Sequence, residues 1–204
     1  MFTGSKRVIL LALGLALFLT TGQARAAGPT DTIKALADEV IRLLSDPGMD
    51  NPAQRRVIRQ RVKVVVDRRF DYEEMAKRSL GATWGSLSAS QRSEFVRLFA
   101  QLLEASYSDK VERYSGEKID YLGESRDGDY AEVRTVLLRR NDRIPMNYRM
   151  LNKSSWLVYD VVIEGVSLVS NYRSQFQQVI SQHSYGELVK RLRTKVSELR
   201  QTQE

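Results

Sequence analysis

The chain has 204 residues, 32 Lys and Arg against 25 Asp and Glu for a formal net charge of +7, one histidine and no cysteine. That composition excludes disulfides and thiolate metal sites. The length suits one domain with a sizeable core.

The first segment reads as an export signal. Lys6 and Arg7 precede the apolar run Val8–Leu19, and Ala24-Arg25-Ala26 supplies the small-x-small pattern of a cleavage site. A membrane span needs about twenty apolar residues, more than this run offers. A cleaved signal peptide over 1–26 and a single domain over 27–204 are expected. No cysteine follows the run, so no lipoprotein anchor is expected.

Helices come next. Asp31 is placed to cap a helix over 32–44, with Ile33, Leu36, Ala37, Val40, Ile41 and Leu44 on one face. Asp46-Pro47-Gly48 breaks it, and Pro52 opens a second helix at its first helical position. That helix sets Val57, Ile58, Val62, Val65 and Val66 against Arg55, Arg56, Arg59, Arg61, Lys63, Arg68 and Arg69. The basic side reads as a solvated face, or as a contact for anionic headgroups or an acidic partner. Export argues against nucleic acid. Asp71 with Glu74, and Ser88 with Gln91, are capping-box signals for two further helices, the first ended by Gly81.

The period then changes from helical to alternating. Arg126-Asp127-Gly128-Asp129, Asn141-Asp142 and Asn152-Lys153-Ser154-Ser155 mark turns between four strands near 118–125, 129–140, 144–151 and 156–164. Pro145 fits near a strand start or an edge. Uninterrupted alternation places Ile119 and Tyr121, then Val133, Thr135 and Leu137, then Ile144, Met146, Tyr148 and Met150, then Leu157, Tyr159, Val161 and Ile163 on one apolar face. Two helices close the chain, near 167–182 and 185–200. The expected fold class is α+β, a twisted four-stranded antiparallel sheet cradled by six or seven helices.

Catalytic motifs are lacking. His183 stands alone after a helix, and neither a P-loop nor a Gly-x-Gly-x-x-Gly occurs. No catalytic residue and no metal ligand set is identified, and no cofactor is expected.

Two stretches carry a resemblance. The first is Phe70-Asp71-Tyr72-Glu73-Glu74-Met75-Ala76 with Leu80-Gly81, Trp84, Leu87-Ser88, Gln91, Phe95, Phe99 and Tyr107. The second runs from Trp156 through Glu164-Gly165-Val166-Ser167-Leu168-Val169 to Asn171-Tyr172-Arg173. Together they resemble the MlaC family, also called the toluene-tolerance family of periplasmic phospholipid-binding proteins. Ser155 departs from the glycine usual before the tryptophan, a change confined to a turn.

The resemblance implies a periplasmic carrier with an NTF2-like fold that helps maintain outer-membrane lipid asymmetry. Phospholipid would be its bound ligand, with the acyl chains in an apolar pocket between sheet and helices. It implies two partners, an outer-membrane lipoprotein complex and an inner-membrane ABC transporter with an MCE-domain subunit, with transient contact at membrane surfaces. Acyl-chain contacts are then expected from helical Met75, Leu80, Trp84, Phe95, Leu98, Phe99 and Leu102. The sheet would add Ile119, Tyr121, Val133, Thr135, Leu137, Met146, Tyr148, Met150, Leu157, Tyr159, Val161 and Ile163, and the segment after it Val166, Val169 and Tyr172. Two rivals stand beside this reading. An enzyme on the same scaffold needs an acid or base in the pocket, and an interaction module would have a filled core.

Overall fold

In the computed structural model the described residues are 27–201 except 113, 115 and 141; the expected signal segment 1–26 lies outside them. Among the described residues the order is α1 (Pro29–Leu44), a 3-10 turn (Pro47–Asp50), α2 (Pro52–Asp67), α3 (Tyr72–Leu80), α4 (Thr83–Ser86) and α5 (Ala89–Glu112). Strands β1 (Lys118–Asp127), β2 (Tyr130–Arg139), β3 (Asp142–Asn152), β4 (Trp156–Ile163) and β5 (Val166–Ser167) follow, then α6 (Leu168–Gln182) and α7 (Tyr185–Gln201).

The helix ends follow local chemistry. Helix α1 starts earlier than expected, because Pro29 pre-sets the first turn; Asp31 then lies inside the helix and accepts from the Gly28 amide at 3.3 Å. At α5 the capping box is complete: Gln91 N–H donates to Ser88 Oγ at 3.3 Å and Ser88 N–H to Gln91 Oε1 at 2.9 Å. At α3 only half of it forms. Asp71 accepts from Glu74 N–H at 3.1 Å, while the Glu74 carboxylate turns to Arg78 Nε at 2.7 Å.

The sheet is antiparallel in the order β1-β2-β3-β4-β5, so it has five strands, one more than the four expected. The fifth is two residues long, below the length at which alternation can be read. It folds back through Glu164 and Gly165, whose φ values of 50° and 82° fit a tight two-residue hairpin.

Helices α3, α5, α6 and α7 pack around an aromatic cluster. Phe95, Phe99 and Phe176 meet at centroid distances of 5.5–6.0 Å, and Tyr172 lies 5.2 Å from Phe99. Helix α1 lies instead on the sheet. Thr30 donates to Glu124 Oε2 through its amide (2.9 Å) and hydroxyl (2.6 Å), while Ile33 enters the sheet's core cluster. Phe70 touches all three apolar clusters, and its segment is stitched to β4 by Asp71 N–H donating to the Val158 carbonyl and Val158 N–H to the Arg69 carbonyl, both at 2.8 Å.

Candidate functional site: the apolar face of the sheet

Strand register decides which side chains share a face. Tyr121 pairs with Thr135, Thr135 with Met146, Met146 with Ile163 and Ile163 with Val166. These five form one row across all five strands. A shorter row, Ile119–Leu137–Ile144, runs beside it, and Tyr148 pairs with both Val133 and Val161.

Two bulges interrupt the alternation. In β1 the register shifts between Tyr121 and Gly123, leaving Leu122 unpaired and 59% exposed. In β4 it shifts opposite Arg149 and Met150: Arg149 pairs with Asp160 and Met150 with Val158, so Tyr159 is the extra residue. The expected face of β4 is therefore corrected at two positions. Leu157 pairs with Leu151 on the opposite side, and Tyr159 packs against the helical cluster, with the Arg78 guanidinium 4.1 Å from its ring centre. Val158 and Trp156 take their places beside Val161.

Burial falls along this face. At the Trp156 end, Val133, Met150 and Val158 are 0% exposed under Ile33 and Phe70. Thr135 and Val161 are also buried. Toward the turn between β2 and β3, Ile119, Tyr121, Leu137, Ile144, Met146, Tyr148 and Ile163 are only half-buried, and Val166 is 61% exposed. The face is thus sealed at one end and opens at the other.

The remaining expected contacts lie elsewhere. Met75, Leu80, Trp84, Phe95, Phe99, Leu102 and Val169 pack into the helical cluster, with Tyr172 against it. Leu98 is buried on the α7 side of α5, beside Val196. A hydrophobic stripe reads the same in sequence whether it meets a ligand or another helix, so sequence could not divide the helical set from the sheet set. Ile33, Phe70, Trp156 and Val158 also pack on the sheet side, outside the expected set. For the β4 pair, the missing information was the bulge.

The open rows carry little polarity. The Thr135 hydroxyl donates to the Met146 carbonyl at 2.7 Å, so it is satisfied within the sheet. Burial pushes the Tyr121 and Tyr148 phenols up to about 12, aided for Tyr121 by Asp38 and for Tyr148 by Tyr121. Both stay neutral near pH 7. Lys34 lies 5.1 Å from the Tyr121 ring centre, giving the rim one cation. Neither row holds a carboxylate or histidine. His183 ends α6 in an exposed position, and no cluster of metal-ligating side chains occurs among the described residues. Such a surface binds by removing apolar area from water, about 25 cal/mol per Å².

These features define a class, an α+β protein whose antiparallel sheet leaves one apolar face open at one end. The chain matches the family model for the MlaC protein over residues 34–194, and it belongs to that family. It is 28% identical over 133 residues to the intermembrane phospholipid transport system binding protein MlaC of Haemophilus influenzae, spanning 62% of this chain and 62% of that relative. Its fold is similar to that of a phospholipid-binding protein from Ralstonia solanacearum solved in complex with a phospholipid. The TM-score is 0.72 at 24% identity, covering 82% of this chain and 96% of the other. No described helix is long and apolar enough to cross a membrane.

Proposed function

We propose that this protein is a periplasmic phospholipid carrier, exported by its first 26 residues, that moves lipid between the outer and inner membranes and performs no covalent chemistry. The observation that carries the reading is the graded burial of one sheet face, from sealed at Val133 and Met150 to open at Ile163 and Val166. Acyl chains lie along the row from Tyr121 to Val166, and the headgroup stays at the open end. Family membership supports the same reading.

Free diffusion of a diacyl lipid through water is opposed by about 0.8 kcal/mol per exposed CH₂. Transfer from a bilayer to an apolar protein face exchanges one oily surface for another, so loading and unloading need little driving force. Direction is then set by the membrane partners, an outer-membrane lipoprotein complex and an inner-membrane ABC transporter with an MCE-domain subunit. A rival enzymatic reading lacks a carboxylate or histidine within the rows.

The test is transfer itself. Delipidated protein is added in catalytic amount to donor vesicles carrying a fluorescent phospholipid and to unlabelled acceptors. A carrier speeds transfer in proportion to its concentration. A rate equal to that of vesicles alone refutes the proposal.

A further inference from the structure

On the other side of the sheet from the apolar rows lies a cleft of about 550 Å³ between β3, β4, α3 and α6. Its walls hold four cations, Lys77, Arg78, Arg149 and Arg173, against two carboxylates, Glu74 and Asp160. Both carboxylates are already engaged. Glu74 accepts from Arg78 Nε at 2.7 Å, with Lys77 at 3.6 Å. Asp160 accepts from Arg149 (3.2 Å), Ser167 Oγ (2.6 Å) and the Val169 amide (3.0 Å).

Arg173 has no acidic partner among the described residues. Its guanidinium lies against Gly81, whose φ is +55°; a Cβ there would stand 3.2–3.4 Å from the guanidinium, so glycine permits the close approach. The Arg78 guanidinium stacks at 4.1 Å on Tyr159, and Tyr130, 45% exposed, meets Tyr159 edge-on at 6.1 Å. The cleft therefore combines surplus positive charge with a braced Tyr–Arg wall. That combination is typical of protein interface hot spots.

We propose that this cleft binds an acidic polypeptide segment of a partner protein, with one carboxylate seated between Arg173 and Arg78 and the chain packed on Tyr130. A phospholipid phosphate fits less well. Tyr130, Arg149 and Asp160 point away from the apolar rows, so a lipid lying on those rows reaches the cleft only through the sheet. The inference stands apart from the lipid reading, since delipidated protein should bind the segment equally.

The probe is fluorescein-labelled hexaglutamate, followed by anisotropy. Arg173→Glu and Lys77→Glu should each weaken binding on the order of ten-fold. Arg61→Glu, the same charge change at an exposed site on α2, should shift it less than about two-fold. Amide shifts in the unmodified protein should centre on Lys77, Gly81, Ser170 and Arg173, an outcome that does not depend on any variant folding. The proposal is overturned if Arg61→Glu weakens binding as much, if the shifts centre on α2 or scatter, or if no binding occurs. It is also overturned if glycerol phosphate or phosphatidylglycerol vesicles displace the probe better than unlabelled hexaglutamate, which would make the cleft a headgroup site.

Discussion

Met146 lies at the centre of the proposed acyl-chain row, half-buried, with Thr135 and Ile163 as cross-strand neighbours. Met146→Glu forfeits part of one apolar side chain's burial, about 1 kcal/mol, and at the open end its carboxylate reaches water, so the fold survives. An acyl chain laid on the row must desolvate or protonate that carboxylate, which costs several kcal/mol without a partner. At 1.36 kcal/mol per ten-fold, lipid affinity falls by about a hundred-fold or more. Asn147→Glu adds the same charge one residue on, facing the other side across from Arg134, and should keep lipid and fold. Its neighbour Glu132, 3.5 Å from the Asn147 amide, imposes only a small repulsion beside Arg149. Val161→Glu is the third arm. Val161 is 6% exposed within the sealed cluster, so its carboxylate has no route to water and the domain should unfold. The assay is phospholipid extraction beside far-ultraviolet circular dichroism and thermal melts. Folded Met146→Glu protein with undiminished lipid, or equal lipid loss in Asn147→Glu, would refute the assignment of the face.

Alkaline stability should report the Tyr121 and Tyr148 phenols. With folded values near 12 against about 10 unfolded, Tyr121 and Tyr148 favour the folded state fully below pH 10, and that contribution is lost as pH rises from 10 through 12. Unfolding free energies from urea titrations should be lower at about pH 11.5 than at about pH 9, by up to about 2 kcal/mol for Tyr148 and by less for the more exposed Tyr121, and Tyr148→Phe should reduce the difference. Asp160→Ala should cost roughly 3 kcal/mol, read as a lower melting temperature, because it strips a 2%-exposed acceptor from Arg149, Ser167 and the first turn of α6. Glu124→Gln should destabilise α1 at neutral pH. Burial opposes the Glu124 charge, but the Thr30 donors and Arg126 outweigh it and hold the carboxyl below its usual range. The stability difference between the unmodified protein and the Glu124→Gln variant should therefore shrink as pH falls through that lowered value.

Much of this architecture is legible from sequence because it is local. Pro52 sets a helix start, Ser88 with Gln91 closes a box, and Asp127-Gly128-Asp129 turns a hairpin. What escapes is set by a single inserted residue or by packing between distant segments. Alternation alone puts Leu157 and Tyr159 beside Val161, and only the Tyr159 bulge exchanges them for Trp156 and Val158. Phe95 and Met146 are equally apolar on paper. The structure packs Phe95 among Phe99, Phe176 and Tyr185 and leaves Met146 half-open on the sheet. The family motif around Trp156 to Arg173 was readable throughout, yet it does not state that Arg173 borders a basic cleft while Val166 belongs to the apolar row.

The most direct test of the central claim is a native mass spectrum of the protein as purified under gentle conditions. The expected spectrum shows the polypeptide with the added mass of diacyl phospholipid, an increment that disappears after organic extraction and returns on incubation with vesicles. A spectrum of bare polypeptide before and after that incubation would contradict the account.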